Sequence, residues 1–206
     1  MFFGENINSI SPSDFGDEPY MLAKTLKNVP IATGNKTKAL KLIFNRFKNI
    51  NVSIIDDGFQ SFNIQKNINI LLIDLSLGLS KYKLIPLGYL REPLSQIKRA
   101  DVVVLTKKNL SSDRRAEKKI LSYVDKKKQL LLYANYKSEL LLSKGKNFVE
   151  AVSPVKQKIK ISVVAVCGIA VPNVFKKMIC DLFGSRLVKL FVFKDHHNYS
   201  QKDFMK

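Results

Sequence analysis

The run Asp101-Val102-Val103-Val104-Leu105-Thr106 most narrowly limits what this chain can fold into. A strand with one wet face alternates apolar and polar residues. A run that is apolar at successive positions fits a strand covered on both faces. Residues 68–73, 130–133, 159–166 and 187–193 read the same way, and 29–34 and 52–55 are shorter candidates. Between them lie stretches at helical spacing. Ala39, Leu40, Ile43, Phe44 and Phe47 form one; Ala116, Ile120, Leu121 and Val124 form another behind a Ser111-Ser112-Asp113 cap. Val174, Phe175, Met178, Ile179 and Leu182 form a third after Pro172. Apolar strands interleaved with amphipathic helices predict an α/β fold with a mostly parallel sheet and flanking helices.

In such sheets function collects just past the carboxyl ends of the strands. Those ends read Gly34-Asn35-Lys36, Asp56-Asp57-Gly58, Asp74, Thr106-Lys107, Cys167-Gly168 and Asp195-His196-His197. Asp56 and Asp57 follow an apolar run, the arrangement that holds Mg²⁺ in phosphoryl-transfer enzymes; Asp-Asp-Gly is equally a good turn. Asp17-Glu18-Pro19 places acid at a helix start, either as a functional group or as an ordinary cap. Arg91 in Leu90-Arg91-Glu92-Pro93 suits a phosphate, or a surface ion pair. His196 and His197 are the chain's two histidines. Neighbouring side chains diverge, so a shared metal is a poor reading, and proton transfer competes with a solvated loop. No G-x-x-x-x-G-K-[ST] or G-x-G-x-x-G phosphate cradle is present; Lys144-Gly145-Lys146 is the nearest approach.

The balance of 35 Lys+Arg against 17 Asp+Glu leaves a net charge of +18, which reads either as a general compositional bias, since the lysines are scattered, or as an invitation to a polyanion or an anionic membrane. The basic residues are scattered and not interleaved with aromatics, which argues against nucleic acid. Cys167 and Cys180 make no disulfide framework, and the apolar run 68–79 is too short to span a bilayer. Nothing at Met1-Phe2-Phe3-Gly4-Glu5-Asn6 reads as a secretory leader.

Five islands in order, Gly16-Asp17-Glu18-Pro19, Asp56-Asp57-Gly58-Phe59-Gln60, Leu90-Arg91-Glu92-Pro93, 167–175 ("CGIAVPNVF") and 195–200 ("DHHNYS"), resemble the tetraacyldisaccharide 4'-kinase family from about residue 14 onward. The resemblance implies a P-loop-kinase-like fold, here incomplete. Residues 1–150 would be the remainder of the kinase core without its P-loop segment, and 151–206 the start of a C-terminal α/β part. It implies ATP-dependent, Mg²⁺-assisted phosphorylation of the 4' position of a lipid A precursor, tetraacyldisaccharide 1-phosphate. The place implied is the cytoplasmic face of the bacterial inner membrane, or the cytoplasm. Asp17 and His196 would be the catalytic dyad. Asp56 and Asp57 would hold the metal. Gln60, Arg91 and Glu92 would line the nucleotide cleft, and Glu18 and Lys36 would face the acceptor.

The departures are specific. The family's N-terminal membrane-associated helix, its GGxGKT loop and a later T-E-K-D-type strand have no counterpart here. Ser61 stands where the family has His, Gly78-Leu79-Ser80 where it has Gly-Asn-Gly, and Tyr89 where it has Pro. An Arg expected near Lys36 and Lys38 is missing. These departures predict negligible kinase activity for this polypeptide alone, which would be either a decayed remnant or one piece of a split enzyme whose separate partner chain supplies the P-loop. The competing expectation is a non-enzymatic basic module that binds anionic lipid or nucleic acid.

Overall fold

The computed structural model describes residues 11, 15–26, 28–111, 113–137, 140–144, 147–152 and 162–204. The chain divides into two compact units between Asn67 and Ile68.

In the first unit two helices form where capping and spacing favour them. Helix α1 spans Asp17–Thr25 behind Gly16, whose φ of 91° turns the chain into it. Both acids of its first turn, Asp17 and Glu18, sit where the helix dipole favours negative charge. Helix α2 spans Lys36–Arg46, with the Asn35 side chain accepting the Lys38 amide at 3.1 Å. The two candidate strands here do not form. Residues 52–55 have no strand ladder, and Ile54 is 93% exposed. Residues 29–34 make only a single bridge, at Ile31. An apolar run becomes a strand only when a neighbour takes its N–H and C=O groups.

The second unit carries the parallel sheet. Strands β1 (Ile70–Asp74), β2 (Val102–Thr106) and β3 (Leu130–Ala134) pair in that order, with Leu72, Val104 and Leu132 in register. Helix α3 (Arg114–Leu121) joins β2 to β3, capped as expected by Asp113, which accepts the Arg115 amide at 3.0 Å. The core lies on one face of the sheet: Ile73, Val103 and Leu105 pack with Leu75, Ile97, Ala116 and Ile120 buried nearby. Gln129 is the buried polar residue among them. Its Nε2 donates to the carbonyls of Ile97 (2.8 Å) and Ala100 (2.6 Å), and its Oε1 accepts the Asp125 amide (2.8 Å).

The expectation of cover on both faces holds only for β2. On the opposite face Ile70, Leu72, Leu130 and Leu132 are exposed, with Leu72 at 64%. Parallel sheets are ordinarily clad on both sides, so this face lacks a layer among the described residues.

Strands β4 (Leu140–Lys144) and β5 (Asn147–Val152) form an antiparallel hairpin that the apolar pattern did not announce. Strand β6 (Val163–Cys167) pairs in parallel with β7 (Leu187–Val192), joined by helix α4 (Pro172–Phe183), which begins at Pro172 as expected. Residues 159–161 of the candidate strand lie outside the described residues.

Candidate functional site

The Asp-Asp-Gly segment is a tight, side-chain-stapled turn. Asp56 Oδ1 accepts the Asp57 amide at 2.9 Å, and Asp57 has a left-handed φ of 48°. Lys66 reaches back to donate to the carbonyls of Gly58 (3.1 Å) and Ser61 (2.7 Å), and the Ser61 amide closes on the Gly58 carbonyl at 3.0 Å. Asp56 and Asp57 are exposed on this bonded turn, and Gln60 is half-buried. Two hard carboxylate oxygens fit Mg²⁺, which takes one or two carboxylates and keeps water or phosphate in its other positions. Among the described residues no group of three or more His, Cys, Asp or Glu side chains gathers as a metal site. These 206 residues hold no phosphate cradle of the G-x-x-x-x-G-K-[ST] type.

The first unit also holds Asp17 and Glu18, both exposed on the opening turn of α1, and Lys36, half-buried at the start of α2. Arg91, Glu92 and His196 belong to the second unit.

Arg91 is exposed, while Glu92 turns inward and forms an ion pair with Arg99, at the end of the 3-10 helix Leu94–Arg99.

Two of the recognised islands meet at the carboxyl ends of β6 and β7. The Phe193 amide donates to the Cys167 carbonyl at 2.8 Å. His197 stacks on Phe193 with ring centres 4.5 Å apart, and Tyr199 packs edge-on against both. A Cβ added at Gly168 would fall 2.8 Å from the Tyr199 hydroxyl and 2.9 Å from the Lys194 carbonyl, so the close approach requires glycine. His197 Nε2 lies 3.3 Å from Asp203 Oδ2, a close approach without good hydrogen-bond alignment. Asp203 in turn accepts the Ser200 amide (2.8 Å) and hydroxyl (2.9 Å). Those Ser200 bonds, and secondarily His197, hold its carboxyl below the usual range. The packed histidine is therefore His197. His196, the candidate proton acceptor, stands exposed with φ 54°.

The ends of β1 and β2 carry a cluster of which the strand-end reading named Asp74 and Lys107, without giving them a role, but not Ser76 or Tyr82. Lys107 Nζ lies 2.5 Å from Asp74 Oδ2, Ser76 donates through N–H and hydroxyl to Asp74 Oδ1, and the Tyr82 hydroxyl donates to the Asp74 carbonyl. Burial alone would raise the Asp74 carboxyl; the Lys107 and Ser76 bonds outweigh it and hold the group below its ordinary value. Burial, with the charges of Asp74 and Asp113, pushes the Tyr82 phenol upward. An open cavity of about 270 Å³ adjoins through Ser76, with Lys81, Lys177, Asn173, Leu110 and Val174 on its walls.

Residues 5–206 match the family described as tetraacyldisaccharide-1-P 4'-kinase. Among curated proteins, the tetraacyldisaccharide 4'-kinase of Halothermothrix orenii is 33% identical over 202 residues, covering 94% of this chain and 52% of the relative. That of Elusimicrobium minutum is 34% identical, covering 91% and 50%, and that of Bdellovibrio bacteriovorus is 32% identical, covering 92% and 54%. The chain thus spans about half the length of these relatives. No solved structure matches it. With the motifs in register and the match running over nearly its whole length, the chain belongs to the tetraacyldisaccharide-1-P 4'-kinase family.

Proposed function

We propose that this chain supplies the proton-transfer and metal-holding part of an ATP-dependent kinase acting on the 4'-hydroxyl of tetraacyldisaccharide 1-phosphate. The family match over residues 5–206 carries this reading. A sugar hydroxyl is a weak nucleophile until a base takes its proton, and Asp17 with His196 forms the acid-base pair for that step. The exposed Asp56 and Asp57 would hold Mg²⁺, which when bound offsets phosphate charge. Gln60, Arg91 and Glu92 line the phosphate side of the site, and Glu18 and Lys36 orient the acceptor.

In this reading residues 1–150 are the remainder of a P-loop-kinase-like core and 151–206 open the second α/β part. The phosphate cradle comes from another polypeptide segment, and the Ile70–Leu72–Leu130–Leu132 face, uncovered among the described residues, leaves room for a further layer. Work takes place on the anionic cytoplasmic face of the inner membrane, consistent with the +18 charge. No helix among the described residues is long and apolar enough to cross a membrane.

The test is ATP-dependent 4'-phosphorylation by the purified chain, alone and with a polypeptide carrying the phosphate-binding loop. The chain alone gives no turnover; the pair does, and Asp17→Asn removes it. Turnover by the chain alone would overturn the need for a second segment. A pair that assembles but stays silent would overturn the kinase reading.

A further inference from the structure

The segment between β1 and the Leu90–Pro93 motif closes into a rigid loop that turns its apolar side chains outward. The Tyr89 and Leu90 amides donate to the carbonyls of Lys81 and Lys83, both at 2.9 Å, and the Ile85 amide donates back to Leu90 at 3.0 Å. Leu84 and Gly88 are joined across the tip at 3.1 Å. At Gly88 a Cβ would fall 2.6 Å from the Lys81 carbonyl and 2.7 Å from the Lys83 nitrogen, so the chain can cross itself there only as glycine. The base is pinned as well. Asp113 accepts the Leu79 amide at 3.1 Å, and the Tyr82 hydroxyl donates to the Asp74 carbonyl.

With its backbone bonded internally, the loop could fold its hydrophobes inward, yet it exposes them. Leu84 is 46%, Ile85 61%, Leu87 79% and Tyr89 57% accessible. Lys81 and Lys83 precede them, Arg91 follows, and residues 79–91 contain no acid. Lys81 Nζ sits 5.3 Å over the Tyr89 ring, grouping cation and aromatic at one edge. Apolar tip, tyrosine and lysines are the elements of an interfacial anchor: the tip enters the acyl boundary, the ring sits at headgroup level, and the amines meet anionic phosphates.

We propose that loop 79–91 is the membrane-docking element of this chain, inserting Leu84, Ile85 and Leu87 into the headgroup region of an anionic bilayer. This deepens the membrane-surface reading given above and rests on it. Charge complementarity selects the lipid surface over a protein groove, because the basic residues flank the apolar tip with no acidic residue among them. Its place after β1 and directly before Arg91 sets the loop where docking would bring a lipid-borne acceptor toward the Leu90–Pro93 motif.

The chain contains no tryptophan, so Leu87→Trp introduces a single reporter. With phosphatidylglycerol-rich vesicles its emission shifts to the blue and is quenched by brominated acyl chains. Vesicle co-sedimentation of Leu87→Asp falls roughly tenfold from the unsubstituted chain, and Lys81→Gln with Lys83→Gln costs roughly fivefold per lysine. Lys126, Lys127 and Lys128 changed together to Gln, all outside the loop, cost less. Far-UV circular dichroism confirms that each variant is folded; Leu87 is exposed enough that its substitution leaves the core untouched. No binding by the unsubstituted chain would sink the membrane reading and this proposal together. Binding that persists in Leu87→Asp, with unshifted emission from Leu87→Trp, would overturn the loop's role and leave the membrane reading standing. A blue shift of the Leu87→Trp emission caused by a protein partner and not by vesicles would also overturn it.

Discussion

Lys107 Nζ lies 2.5 Å from Asp74 Oδ2, bridging the carboxyl ends of two adjacent parallel strands. Both side chains are about three-quarters shielded, and Lys107 takes a left-handed φ of 55° to make the contact. Removing the amine leaves a half-buried carboxylate opposed by burial. Lys107→Met therefore lowers unfolding free energy by roughly 1–2 kcal/mol, between the values for surface and buried pairs. The Asp74 carboxyl is held below its unfolded value, so its contribution is present above that value, near 3.8, and lost as pH falls through the lower folded one. Urea denaturation from pH 7 down to acid checks this: the unsubstituted chain loses stability in that acid window and Lys107→Met loses less.

Gln129 ties three backbone groups of two loops together from a buried position. Gln129→Leu keeps much of the volume and strands those groups. Each buried polar group left unpaired costs about 1–3 kcal/mol, so a total of roughly 2–4 kcal/mol is expected in chemical denaturation. Gln129→Glu is also damaging, since it replaces the donor to two carbonyls with an acceptor.

Asp113 serves two amides at once, those of Leu79 and Arg115. The Leu79 N–H first, then the Arg115 side chain, bring its carboxyl from the ordinary 3.8 down to about 2. A depressed carboxyl stabilises above its unfolded value and ceases to do so as pH drops toward 2. Amide exchange at Leu79 and Arg115 quickens, relative to core amides such as Val103, in Asp113→Ala at neutral pH and in the unsubstituted chain near pH 2. Equal protection in the variant would contradict the double role.

How much of this was legible depended on whether a residue's partner was local. The α3 cap, the Pro172 helix start and the apolar strand β2 were readable because spacing and immediate neighbours decide them. Residues 52–55 have the composition of a strand, but whether they pair depends on a neighbour that local sequence does not specify. The β4–β5 hairpin hid behind Lys144-Gly145-Lys146, which read as a failed phosphate loop; the flanking strands pair Lys144 with Asn147. The acid turn at Asp56-Asp57 was foreseen, but Lys66 was not, because its anchoring role arises only once the turn is built. The same holds for His197: sequence offered two adjacent histidines, and only packing against Phe193 and Tyr199 separates the structural one from the exposed one.

That separation gives the last prediction. Gly168 lets the β6 end lie directly against Tyr199, Lys194 and His197, so the left-handed His196 is held by a joint with no spare volume. Gly168→Ala places a methyl 2.9 Å from a backbone carbonyl, a clash that a rotamer change cannot relieve. Overpacking of this kind costs about 1–3 kcal/mol. Its local signature is displaced ring signals for Phe193, His197 and Tyr199 in NMR spectra, with the β1–β2–β3 core signals unmoved. On the proton-acceptor role proposed for His196, Gly168→Ala lowers kcat more than it raises KM when the chain is assayed with a phosphate-binding partner, because that role is not a binding contact. His197→Phe keeps the stack on Phe193 while removing the contact with Asp203, so it retains most of the stability and most of the turnover. If His197→Phe instead abolished turnover in a folded protein, the proton-transfer role would belong to His197 and not to His196.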